Sequence, residues 1–451
     1  MLGSKKEDEM KNRFSDYLPF ILFFSVNLFW LLASWPISMS PDSLDVWGQV
    51  QSGDYRNDHP VTYTIFVKIF SLGGRYLPLV SATQLFLLST GILLTTYTLS
   101  KNLKQSAYIT SIIMLAPTAG ALATTLWKDV PFVGLILIGL SLLFRKSNIF
   151  GLLTLTLGAS FRHNGWLMLF TIAGVILIAA ILKNKYLKHY FWKIVAAGAI
   201  SFLLIIYASK LIDAKPASTW LTWSPAMADL AYLASRTPND ASSIHETVAL
   251  YSSGESLARS ADCTNVNGLI FSSGFNQLEL DGKIDQIIRE YVKLIKSDPR
   301  LILRLHLCRA QAFIPPPFST GPSYYYWTQM IIIQPNDFNL IPNPPIKKVR
   351  DVGLNLWSFW DSNLKTLLWP GLITLVSSLI FLVNFIGRSN HNKESWMFWF
   401  LTMWAALFSV IPWSNAQDFR YALLSYLVAQ IIILIALVES SILFKRKFKK
   451  I

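Results

Sequence analysis

Residues 17–60 read YLPFILFFSVNLFWLLASWPISMSPDSLDVWGQVQSGDYRNDHP. The first twenty of these carry no charged side chain, and about twenty apolar residues is the length a helix needs to cross the hydrocarbon core of a bilayer. The chain then turns abruptly polar, with Asp42, Asp45, Asp54, Asp58 and His59 inside one short stretch. The fold follows from this boundary: a membrane span that ends in a polar loop, here residues 37–76.

Working outward, apolar runs recur at 77–99, 106–126, 130–144, 149–161, 165–182, 194–212, 366–387, 396–412 and 421–444. With 53% hydrophobic and only 15% charged residues, against about 25% charged in a soluble domain, the chain reads as an all-α polytopic membrane protein with about ten transmembrane helices. The alternating ten-residue segments of a membrane barrel are absent. The polar tail KKEDEMKNR (5–13) precedes the first run without a small-residue cleavage site, so that run is expected to stay as an anchor.

Net charge is +14, but the basic residues sit at the ends of apolar runs, which speaks for membrane orientation and against a nucleic-acid partner. Lys5, Lys6, Lys11 and Arg13; Lys101 and Lys104; Arg145 and Lys146; Lys183, Lys185, Lys188 and Lys193; Arg388 and Lys393; and Lys445 to Lys450 fall on one side of a ten-span chain. That side is expected to be the cytoplasm. The expected layout is a cytoplasmic tail (1–16), a transmembrane catalytic module (17–212), a mainly helical extracytoplasmic domain (213–365) inserted before the last three helices, and closing helices with a basic tail (366–451). Within the outer segment, 284–296 has helical amphipathic spacing, Asp298-Pro299 interrupts it, and 301–313 resumes with Arg304, His306 and Arg309. The aromatic run Tyr324 to Trp327 suits a headgroup-level belt.

The outer face then receives the opening loop, the turns Trp127-Lys128-Asp129 and Arg162-His163-Asn164, and the tip Gln417-Asp418-Phe419-Arg420. Ionisable groups beside hydrocarbon are costly unless paired or functional. A carboxylate there can take or orient the proton of an acceptor hydroxyl. Asp42, Asp45 and Asp58, with His59 orienting, are the candidates. Cations can stabilise a departing phosphate, and Lys128, Arg162, Arg304 and Arg420 are candidates, supported by Asp129, His163 and Asn164. The plainer alternatives are that Asp42 caps a short following helix and that each Arg snorkels at the interface.

The segments from Ser40-Pro41-Asp42-Ser43 to Asp58-His59-Pro60, LWKDVPF (126–132) and FRHNGWL (161–167) resemble bacterial members of the GT-C glycosyltransferase superfamily, which includes protein O-mannosyltransferases and the lipid A aminoarabinose transferase. By motif the resemblance covers about residues 15–210; YVKLIKSDPRLILRLHL (291–307) is similar to a segment that precedes the last spans in such proteins. The resemblance implies transfer of a sugar from a polyprenyl-phosphate donor to a glycan, lipid or protein acceptor, with inversion, at the extracytoplasmic face of the bacterial cytoplasmic membrane. It matches Asp42 to the first-loop acid and Asp58-His59-Pro60 to the second acidic element. The loop lacks an adjacent Asp-Glu pair and a strict Asp-x-Asp, so the base stays open among Asp42, Asp45 and Asp58; no cofactor is implied, and a divalent metal is left open. A polysaccharide polymerase or ligase using lipid-pyrophosphate oligosaccharides, a transporter or flippase, and a non-catalytic membrane protein whose outer domain binds a partner are the other readings.

Cys263 and Cys308 are the only cysteines, and both fall in the outer segment, where a disulfide between them is permitted; two buried thiols are the alternative. The six histidines are scattered, without zinc-ligand spacing.

Overall fold

The computed structural model describes residues 2–182, 187–237, 242–264, 266–277, 280, 282–316, 319, 330–365, 367–386, 390–411 and 418–448. The aromatic run 324–327, Gln417, Arg388, Lys183 and Lys185 lie outside them. The described chain is helical, with isolated bridges and no strand among the described residues.

The first helix, α1 (Leu2–Ala33), is followed by α2 (Pro41–Ser52), α3 (Val61–Phe70), α4 (Leu77–Ser100) and α5 (Leu103–Leu115). Next come α6 (Gly120–Ala123), α7 (Asp129–Phe144), α8 (Asn148–Ser160), α9 (Gly165–Leu182) and α10 (Lys188–Leu211). Among the described residues, four segments are long and apolar enough to cross a membrane: Asp16–Ala33, Leu77–Ser100, Lys188–Leu211 and Phe419–Ser441. Helices α3, α7, α8 and α9 are apolar but shorter. Phe24, Leu28, Phe86, Ile112 and Leu203 point outward from this bundle, the surface that lipid chains would cover. Inside it, α4 and α7 cross at Gly91 and Gly134; a Cβ on Gly91 would stand 2.7 Å from the Gly134 carbonyl oxygen, so the two backbones touch.

Two expectations change. The run 106–126 is not one helix: α5 stops at Leu115, just before Pro117, which has no amide hydrogen to give, and only the single turn α6 follows. The loop 37–76 is largely helical, because α3 is a ten-residue apolar helix, too short to span and buried instead against α10, α2 and α4.

After α10, a second unit is built from α11 (Thr219–Arg236), α12 (Ser243–Ala249), α13 (Gly254–Arg259), α14 (Asn267–Ile270), α15 (Ile284–Ser297) and α16 (Pro299–Arg309). It has its own core, with Met227, Leu230, Tyr251, Leu269, Ile287 and Leu294 among its buried residues. Asp298 caps α16 by accepting from the Leu301 amide at 3.0 Å, and Pro299 occupies its first position. A disulfide joins Cys263 to Cys308, Cα to Cα 6.0 Å. The chain then returns through α17 (Lys347–Phe359), which packs on α1, to α18 (Pro370–Ile386), α19 (Asn390–Val410) and α20 (Phe419–Phe448). Helix α20 packs on α4, α5, α7, α18 and α19.

Candidate functional site

Three short backbone pairings decide where the opening loop sits. Ser38 donates its amide to Thr124 O at 2.9 Å and accepts from the Leu126 amide at 2.9 Å. Met39 donates to Ile331 O at 2.8 Å. At the far end of the loop, Asn57 donates to Lys215 O and the Lys215 amide to Tyr55 O, each at 2.9 Å. The loop is thus stitched to the start of α7 at one end and to the start of the second unit at the other.

Helix α2 begins in the polar stretch because Ser40 and Ser43 form a reciprocal cap: Ser40 Oγ accepts from the Ser43 amide at 3.4 Å, and Ser43 Oγ accepts from the Ser40 amide at 3.0 Å. Pro41 sits in the first turn. The cap is therefore Ser40, and the carboxylate of Asp42 serves elsewhere. The Trp127 indole N–H donates to Ser40 Oγ at 2.7 Å, which ties the start of α2 to the turn before α7.

Asp42 Oδ2 accepts from Arg420 Nη1 at 2.7 Å, across 378 residues of sequence. Arg420 Nε stands 2.8 Å from Asp418 Oδ2, and the guanidinium lies over Trp127 at 4.9 Å and Tyr421 at 5.5 Å. Beside it, Lys128 Nζ donates to His59 Nδ1 at 2.7 Å. Asp129, in the first turn of α7, holds Arg162 at 2.7 Å, and Arg162 faces the rings of Phe132 and Tyr421. His163 Nε2–H donates to Asn57 O at 2.9 Å. Asp42, His59, Lys128, Asp129 and Arg420 line one cavity of about 10 Å³, the room of a single water. Arg162, Asn164 and Tyr421 line a second of about 20 Å³. The Asp42 side chain keeps 41% of its surface open.

The charges are tuned by these neighbours. Desolvation is the largest single influence on Asp42 and opposes its charge, but the neighbouring cationic groups, Arg420 first, together outweigh it and hold the carboxyl well below the usual carboxylate range. Burial, then the Lys128 ammonium, push His59 down to about 3, and the same two causes push His163 down to about 4. A neutral His59 accepting at Nδ1 carries its proton on Nε2. Burial lowers Lys128 to about 8 against the pull of Asp129 and Asp42. Burial lifts Asp418 to about 6 even with Arg420 beside it. Arg162 and Arg420 are neutralised by carboxylates; the charge on Lys128 is met by a neutral imidazole.

Other candidates lie elsewhere. Asp58 Oδ1 accepts from the Ser218 amide at 3.1 Å, a structural tie to the second unit. Asp45 pairs with Arg56 and accepts from Gln49, on a different side of α2. Arg304 borders a groove formed by α16 and α19. Conversely, Asp418, Trp127 and Tyr421 were not marked as site residues, although Asp418 lies two positions before Arg420. Among the described residues no group of three His, Cys, Asp or Glu side chains is arranged to hold a metal. Each carboxylate of the cluster faces an arginine, which a divalent cation would have to displace. No family model matches the chain, and neither a curated protein nor a solved structure does.

Proposed function

We propose that the chain is a membrane glycosyltransferase of the GT-C kind, which moves a sugar from a polyprenyl-phosphate donor to an acceptor hydroxyl with inversion at the sugar carbon. In this reading about ten helices cross a bacterial cytoplasmic membrane, residues 213–365 lie outside before the last three, and the charged cluster faces the extracytoplasmic side. The observation that supports the reading is the geometry of Asp42, clamped on one oxygen by Arg420 with 41% of its side chain exposed.

In the step itself, an oxygen lone pair of the acceptor hydroxyl forms the new bond to the anomeric carbon. The bond from that carbon to the phosphate oxygen breaks, and its electron pair leaves with the polyprenyl phosphate. Asp42 takes the hydroxyl proton. Because Arg420 makes Asp42 a weak base, the transfer falls late, after bond formation has made the oxygen acidic. Lys128 is the cation whose charge no carboxylate cancels within ion-pair distance among the described residues, so it meets the phosphate in place of Arg162. Its proximity to Asp42 sets donor and acceptor side by side.

Membrane vesicles carrying the full chain and a radiolabelled polyprenyl-phosphate hexose test this. Asp42→Asn is expected to lower transfer by about 10²- to 10⁴-fold at unchanged protein level, while Asp58→Asn retains it. Full activity in Asp42→Asn would sink the assignment of the base.

A further inference from the structure

A large apolar groove lies away from the charged cluster. It runs between α16, which presents Arg304, Leu307 and Cys308, and α19, which presents Trp404, Leu407 and Phe408. The spacings of three and four residues mark one face of each helix, so two helical faces look at each other across a gap. The gap is about 580 Å³, within the roughly 300–1,000 Å³ range of ligand pockets. No carboxylate lines it among the described residues.

We infer that this groove holds one anionic phospholipid of the surrounding bilayer, with an acyl chain between Leu307 and Phe408 and the phosphate at Arg304. Three observations favour this occupant. Arg304 is exposed at the rim, and no carboxylate lies within ion-pair distance of it among the described residues, so its fork is available to a phosphate. Exposed Arg300 lies one helical turn before it, and Leu303, 57% exposed, stands between them, so this side of α16 alternates cation and apolar surface as a helix at the headgroup level does.

The third observation separates this lipid from the sugar donor. Helix α19 turns Ala406, Ser409 and Val410 toward Arg162 and Tyr421, and Leu407 and Phe408 toward the groove. The helix is thus a partition, with the charged cluster on one side and the groove on the other. Both lie at the same level of α19, which is where a lipid phosphate would sit if the cluster marks the membrane boundary. The disulfide from Cys308 to Cys263 holds the α16 wall to the rest of the second unit, so the groove does not depend on α16 staying in place unaided. This inference goes beyond sugar transfer and does not require it.

Native mass spectrometry of the purified full chain decides the matter. Micelles are supplied with phosphatidylglycerol or with phosphatidylcholine of the same acyl chains. One phosphatidylglycerol per chain is expected to survive detergent removal, with about tenfold preference over phosphatidylcholine, the size of one charge-assisted contact. Arg304→Gln, an exposed change that leaves the core intact, is expected to abolish the preference. Leu307→Trp, which fills the groove and keeps the arginine, is expected to lower retention of both lipids. Equal retention of the two lipids, or a preference unchanged in Arg304→Gln, overturns the inference. Displacement of the bound lipid by equimolar polyprenyl phosphate also overturns it, because the groove would then belong to the donor.

Discussion

The pairs Asp42–Arg420 and Asp229–Arg309 are chemically alike and differently placed. Asp229 is fully enclosed, bound by both terminal nitrogens of Arg309 and by the Tyr291 hydroxyl at 2.9 Å, in the core of the second unit. Asp42 is held on one oxygen and keeps much of its surface open, with Lys128 and His59 alongside. A sealed pair can only brace the fold, since no reactant reaches it. A pair with one free oxygen can also act on what arrives. The difference between them is access, and access is what separates a structural ion pair from a candidate reactive one.

The contrast breaks if the two sites respond alike. Asp42→Asn carries the largest effect on transfer, as argued above, and is expected to change stability by at most about 1 kcal/mol, the scale of a half-exposed pair. Arg309→Met is expected to do the reverse, costing about 3–5 kcal/mol by leaving Asp229 buried without a counter-charge. Thermal unfolding in detergent measures both. A stable Arg309→Met protein would show that the second unit does not depend on its sealed pair.

Much of the cluster was visible in the sequence as charge and little of it as pairing. Asp42, Lys128, Asp129, Arg162 and Arg420 stand at the ends of apolar runs, and hydrocarbon permits few other places for them. The helices α15 and α16 are legible in their spacing and in the Asp298-Pro299 break. Partners are another matter: Asp42 meets Arg420 across 378 residues and Asp58 meets the Ser218 amide across 160, and no local pattern encodes such contacts. Asp418 stands in the last outer tip without an assigned role for the same reason, since its value lies in sharing Arg420 with Asp42. Helix α3 was hidden because VTYTIFVKIF is too short for a span and β-branched enough to be no clear helix.

A smaller effect sharpens the roles within the cluster. Lys128, lowered to about 8, loses its proton as pH rises through that value, so donor binding is expected to be level below about pH 8 and to fall above it. Stability runs the other way. The unfolded lysine holds its proton to a higher pH than the folded one, so stability from this group rises between about 8 and the ordinary lysine value near 10.5. Opposite slopes in the two pH profiles identify Lys128 as a ligand to the phosphate; a binding curve flat through pH 9 removes it from that role. Lys128→Arg, charged throughout, is expected to abolish the alkaline limb of binding.

The smallest effect concerns how α2 holds Asp42. Gly53 closes this helix at φ 75°, donating to Gln49 O at 3.0 Å, and a Cβ there would meet nothing within 4 Å. Gly53→Ala therefore adds backbone strain alone, about 1 kcal/mol. The Ser40–Ser43 cap and the Trp127 contact hold the opposite end of the helix, where Asp42 lies. Stability is thus expected to drop slightly while transfer holds. A loss of transfer larger than the loss of stability would mean that Asp42 is positioned by the whole of α2 rather than by its capped end, and that the open pair is held more loosely than the sealed one by its helix as well as by its exposure.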